Sequence, residues 1–136
     1  MGLLVDTSVW SLAYRRDTPP AVPEVDALRH SLGSGDSVVT TGMILLELLR
    51  GFVPPRAQAT ILDAFESLEL IEPTRIDYVE AASIANVCRR AGVQIGSVDA
   101  LLMQLARAGD HTLLTTDQDF FRAAPHVGLR VWRRPG

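Results

Sequence analysis

Four acids stand at the edges of apolar segments. Asp6 follows Leu3-Leu4-Val5, and Glu47 lies inside Gly42-Met43-Ile44-Leu45-Leu46-Glu47-Leu48-Leu49-Arg50-Gly51. Asp99 lies in Gly96-Ser97-Val98-Asp99-Ala100-Leu101-Leu102, and Asp117 follows Thr112-Leu113-Leu114-Thr115-Thr116. Three have ordinary uses when taken singly. Asp99 suits the first turn of a helix, Asp117 or Asp119 could cap a helix starting near residue 118, and Asp6 could make an Asx turn. Glu47 is harder to place. Its helical neighbours Met43, Ile44 and Leu48 are apolar, so the pattern expects a buried carboxylate that must be compensated or protonated, unless Arg50 at i+3 pairs with it at the surface.

Taken together, the acids call for a shared partner. Carboxylates ~5 Å apart repel by roughly 3 kcal/mol per pair at an effective dielectric near 20. A divalent cation removes that penalty. Oxygen-only ligands, with the single cysteine elsewhere and His30, His111 and His126 isolated in sequence, favour Mg²⁺ or Mn²⁺ over zinc. An ion held this way activates water and stabilises charge on a phosphate, which points to phosphodiester hydrolysis.

The surrounding pattern supplies the elements that must position these residues. Apolar runs at 3–5, 37–40, 70–71, 111–116 and 129–132 read as strands. Segments 8–15, 24–32, 42–50, 56–68, 77–91, 98–108 and 118–123 read as helices, with Thr41 and Ser97 as expected caps. Strands alternating with helices predict an α/β sandwich around a five-stranded, mainly parallel sheet. Ligands of such sheets sit beyond the carboxyl ends of the strands, where Asp6 and Asp117 fall. Trp10 and Tyr14, at i,i+4 spacing, are expected to pack a dimer rather than to stack a base.

With 136 residues and 47% hydrophobic content, the chain suits one domain over 1–136. Cys88 falls with Ile84, Val87 and Ala91 at helical spacing and reads as a core thiol. No apolar run approaches a membrane span and no leader pattern precedes the first strand, so a cytoplasmic protein with no membrane contact is expected. All 13 basic residues are arginine. Without lysine there is no phosphate-binding loop ending in Gly-Lys-Ser/Thr, no Schiff-base chemistry and no phosphoreceiver lysine. The net charge is −3, but with the four site acids set aside the remaining surface is slightly positive, so a polyanionic substrate stays open.

Leu-Val-Asp-Thr-Ser at 4–8, Glu-Leu-Leu-Arg-Gly at 47–51, Ser-Val-Asp-Ala-Leu-Leu at 97–102 and Leu-Leu-Thr-Thr-Asp-Gln-Asp-Phe at 113–120, in this order, resemble the PIN-domain ribonucleases. Within that family they look most like the VapC-type toxins of toxin–antitoxin pairs. The resemblance runs from Leu3 to about Trp132. It implies a single PIN-like domain and a Mg²⁺- or Mn²⁺-dependent endoribonuclease that cuts tRNA, rRNA or other structured RNA, with Asp6, Glu47, Asp99 and Asp117 as the acidic, metal-holding site. Asp119 matches a further acid of many members, and the hydroxyls of Thr7, Ser8 and Thr116 stand near the acids. The resemblance also implies a VapB-type antitoxin that covers the cleft, and a homodimer. Arg15, Arg16, Arg50, Arg56, Arg89, Arg90 and Arg122 are candidates for RNA phosphate contacts.

Two rivals follow from the same residues. One is a module that grips RNA or a partner without cutting, its acids serving as caps. The other is a small-molecule phosphohydrolase, disfavoured because strand one carries Asp6-Thr7-Ser8 in place of an Asp-x-Asp pair.

Overall fold

In the computed structural model, which describes every residue except Met1, Arg16, Asp17, Phe52 and Gly136, the apolar runs become four strands. These are β1 (Leu3–Val5), β2 (Val38–Thr41), β3 (Glu69–Ile71) and β4 (Thr112–Leu114). They form one parallel sheet in the order β3-β2-β1-β4, with Leu4 opposite Val39 on one side and Leu113 on the other. Parallel neighbours need long crossovers, and helices supply them. Helices α1 (Thr7–Tyr14) and α2 (Pro23–Ser34) link β1 to β2, while α3 (Gly42–Leu49) and α4 (Pro55–Glu66) link β2 to β3. Helices α5 (Arg75–Arg90) and α6 (Ser97–Ala108) link β3 to β4, and α7 (Gln118–Val127) follows β4.

The inner strands β1 and β2 read as continuous apolar runs because both their faces are covered: Leu4, Val5, Val38 and Val39 are all buried, as are Leu113 and Leu114 of the edge strand β4. Trp10 is fully buried, 4.7 Å from the Phe65 ring and 5.6 Å from Tyr14, so it packs inside the chain's own core and not against a second copy. Cys88 is buried too, and burial raises its thiol pKa.

The fifth strand is a correction. Segment 129–132 makes a single bridge, Val131 to Leu113, through Leu113 N–H to the Arg130 carbonyl (2.9 Å) and Trp132 N–H to the Leu113 carbonyl (2.8 Å). The tail then turns toward α2, where the Arg134 guanidinium grips Glu24 in two hydrogen bonds of 2.8 and 3.0 Å. A chain drawn aside in this way cannot continue the ladder.

Helix ends also differ from expectation. Thr41 precedes α3, but its hydroxyl donates to the Ile71 carbonyl (2.9 Å) rather than capping, and α6 is entered from Gly96 with Ser97 as its first residue. Helix α5 begins two residues early because Thr74 and Asp77 form a capping box, with Thr74 N–H to Asp77 Oδ2 at 2.8 Å and Asp77 N–H to Thr74 Oγ1 at 3.4 Å. Helix α7 runs through Pro125 to Val127 and closes at Gly128, whose φ of 68° is the left-handed geometry glycine tolerates. The bond that Pro125 cannot donate is outweighed by a buried stripe of Phe120, Ala123, Ala124 and Val127.

Helices α5 and α6 pack antiparallel. Gln104 donates to Asp77 at one end (3.2 Å), and Ala85 shares a groove wall with Ser97 at the other. This pairing sets the height of Asp99. Among the described residues, no helix is long and apolar enough to cross a membrane.

Candidate acidic site at the carboxyl edge of the sheet

Asp6 follows β1 at the position before α1, without a side-chain cap bond, and Asp117 stands between β4 and α7. Hydroxyls latch these two turns together. Asp6 is 6% exposed, and its Oδ2 accepts from Ser8 Oγ (2.8 Å) and Thr115 Oγ1 (2.9 Å). Each hydroxyl works in both directions: Ser8 Oγ accepts from Thr116 N–H (3.1 Å), and Thr115 Oγ1 accepts from Asp117 N–H (3.0 Å). Asp117 in turn caps α7, its Oδ1 accepting from Asp119 N–H at 2.9 Å. Both turns therefore hold one geometry, and backbone N–H groups of Thr7 and Ser8 add to the hydroxyls that favour the charged form of Asp6.

Glu47 reaches the same region from α3. It is half-buried, not buried, and Thr7 Oγ1 at the start of α1 donates to its Oε1 (2.8 Å). Among the described residues it forms no ion pair with Arg50, which is exposed at the helix end. Asp99, in the first turn of α6, is half-buried and makes no side-chain hydrogen bond among the described residues. Asp119 differs from the rest because Arg122 neutralises it at 2.7 Å in an exposed pair.

The electrostatics show which acids share a neighbourhood. Asp99 is pushed up to about 6, first by burial and then by the charges of Asp6, Asp117, Glu47 and Asp119. Residues far apart in sequence thus converge in one field. Asp6 is also raised, because burial outweighs the Ser8 and Thr115 hydroxyls that favour its charged form. Among the described residues, no three Asp, Glu, His or Cys side chains close into a ready ligand cage. Repulsion accounts for acids that meet in one field without touching. The donor set still fits a hard divalent ion, being all carboxylate, with Arg122 pairing only Asp119.

Two parts of this arrangement escape sequence reasoning. The hydroxyl that serves Asp6 belongs to Thr115, fully buried, and not to Thr116, which contributes its backbone N–H. A threonine completing an apolar strand gives no signal of its own; its place two residues before a capping Asp was the available hint. The second part is the pair Arg133 and Arg134. Among the arginines named from sequence, Arg16 lies outside the described residues. Arg15 and Arg56 line a cleft with Arg29, Arg122 is engaged by Asp119, and Arg89 and Arg90 are exposed at the end of α5 that meets the start of α6.

A helix-flanked parallel sheet with an acidic centre at its carboxyl edge is the class these features define. The chain belongs to the PIN-domain family, whose pattern matches residues 3–125. It is 36% identical over 84 residues to ribonuclease VapC23 from two strains of Mycobacterium tuberculosis, a match covering 62% of this chain and 65% of the relative's length. In fold it is similar to the crystal structure of VapBC2 from Rickettsia felis bound to a DNA fragment from their promoter, with a TM-score of 0.71, 18% identity, and coverage of 98% of this chain and 100% of that one. FitAcB from Neisseria gonorrhoeae gives a TM-score of 0.68 at 19% identity, covering 96% of each chain.

Proposed function

We propose that the chain is a Mg²⁺- or Mn²⁺-dependent endoribonuclease, the toxin of a VapBC-type pair, acting in the cytoplasm on tRNA, rRNA or another structured RNA. The observation that carries this reading is the Asp99 carboxyl, pushed up to about 6 first by burial and then by the charges of four other acids that arrive from three separate segments. The likeness to ribonuclease VapC23 supports the substrate class.

Asp6, Asp99 and Asp117 would hold the ion, which when bound lowers the pKa of water and offsets charge on the phosphate. Glu47 keeps Oε1 on Thr7 and turns its other oxygen to the attacking water, orienting it and taking its proton. Attack on phosphorus breaks the bond to the 3′ oxygen and leaves a 3′-hydroxyl and a 5′-phosphate. Thr7, Ser8 and Thr115 act as positioning residues, because each spends its proton on a carboxylate. Asp119, paired with Arg122, supports the turn.

A VapB-type antitoxin is the proposed protein partner, in line with the VapBC2 neighbour. Beside Asp99 lies an apolar groove of about 320 Å³ between Met43, Tyr78, Ala82, Ala85, Val98 and Leu101. An apolar segment seated there could extend an arginine to the acids. Exposed Ile76 and Val79 on α5 leave apolar surface for the proposed homodimer.

The test is incubation of antitoxin-free protein and Asp6→Asn with total RNA, in Mg²⁺ or Mn²⁺ and in EDTA, with new 5′ ends mapped. Discrete cuts that need both the metal and Asp6, and that carry 5′-phosphates, are expected. Cyclic 2′,3′-phosphate products would sink the water-attack scheme, and tight RNA binding without new ends would favour the non-cutting module.

A further inference from the structure

A second cleft, of about 420 Å³, opens on the other side of the β4–α7 turn and is walled by Thr115, Thr116, Gln118, Phe121 and Arg133, with the Glu24–Arg134 pair at its rim. Its wall is continuous with the acidic site. Thr115 donates to Asp6, Thr116 N–H donates to Ser8, and Asp117 stands between Thr116 and Gln118. The cleft and the acids thus share the β4–α7 turn as a common wall.

The tail is built to keep one cation there. Glu24 is 4% exposed and binds Arg134 through both carboxylate oxygens, which fixes the backbone at 134 and holds Glu24 below the usual carboxylate range. Arg133, one residue earlier, is exposed and makes no ion pair among the described residues; its Cζ lies 5.5 Å from the centroid of the Phe121 ring. A guanidinium laid on an aromatic face is both a phosphate donor and a flat stacking surface, whereas a lysine would be only a point charge. Gln118 adds an amide with donor and acceptor at the mouth of the cleft. An acidic peptide would use the arginine and could pair with the amide, but only a base also fills a flat stacking plane, so the chemistry favours a nucleotide.

We propose that this cleft is the subsite for the nucleotide next to the scissile phosphate, with Arg133 over Phe121 binding its phosphate and base, and Gln118 reading the base edge. The assignment rests on the ribonuclease reading, and its test separates the two.

Binding of a labelled single-stranded RNA pool to Asp6→Asn protein in EDTA is followed by fluorescence anisotropy across a salt series. Adding Arg133→Ala should weaken binding about 5- to 30-fold and lower the slope of log affinity against log salt by roughly 0.7. Arg133→Lys should restore the slope but only part of the affinity. Gln118→Ala should change base preference at the flanking position with the slope intact. In the cleaving protein, the Arg133→Ala loss should fall on KM more than on kcat. Unchanged affinity and slope in Arg133→Ala overturn the subsite even where the parent cuts RNA, and so does an Arg133 effect confined to an acidic protein partner. An Arg133-dependent RNA affinity in a protein that cuts nothing overturns the nuclease reading and its scissile-phosphate register, and leaves the cleft as a nucleotide-binding site.

Discussion

Asp99 occupies a favourable place for an acid, the first turn of a helix, yet its carboxyl titrates near 6 because it is half-buried among like charges. Between about pH 4 and 6 the native state then holds a proton that the unfolded chain has released. Stability must therefore fall as pH rises through that window and level off above it. Asp6, also raised, works in the same direction, while Glu24, lowered by Arg134, works in the opposite one. A difference measurement isolates Asp99. In EDTA, Asp99→Asn should melt at the parent temperature near pH 4 and above it at pH 7. An offset independent of pH would mean that Asp99 does not sit in the field of the other acids. At this scale the sequence was informative where a residue type contradicted its surroundings, as Glu47 did among Met43, Ile44 and Leu48. It was silent where the type was ordinary, as with Thr115, whose value comes from a bond to Asp6 across 109 residues.

Elements were legible wherever a local rule decided them. Apolar runs marked β1, β2 and β4, whereas α7, expected over 118–123, runs on to Val127 before Gly128 ends it. The failures occurred where a distant partner overruled the local rule. Thr41 gave its hydroxyl to Ile71 on the neighbouring strand, Pro125 was carried inside α7 by buried residues on both sides, and the expected fifth strand was drawn away by Arg134. The link from element to site is clearest in α5. Thr74→Ala removes one half of its capping box and should cost about 1 kcal/mol, roughly 3–5 °C in melting temperature. Asp77→Ala removes the box and also strands Gln104, a buried amide on α6, so its cost should rise by a further 1 kcal/mol or so. Equal losses for the two variants in thermal melts would show that the Asp77–Gln104 contact does not tie α6, and Asp99 with it, to α5.

Across the whole molecule, the acids share one edge of the sheet while the arginines are spread over other parts: Arg133 beside the β4–α7 turn, Arg89 and Arg90 at the end of α5, and Arg15 and Arg56 on a separate cleft. A net charge of −3 hides this division. The negative edge is also where stability and the proposed activity compete, because the folded chain must hold together carboxylates that solvent would separate. A dication that binds the folded state should then stabilise the entire domain, by about 2.7 kcal/mol at a hundred times its Kd. Protons compete for the same oxygens, and Asp99 takes one up near pH 6, so the effect has a defined pH sign. Millimolar Mn²⁺ should raise the melting temperature clearly at pH 7.5 and little at pH 5, and Asp99→Asn should lose most of the pH 7.5 gain. A shift of equal size at both pH values, or one that survives Asp99→Asn, would mean that the ion binds elsewhere on the surface and that the acidic edge is not its site.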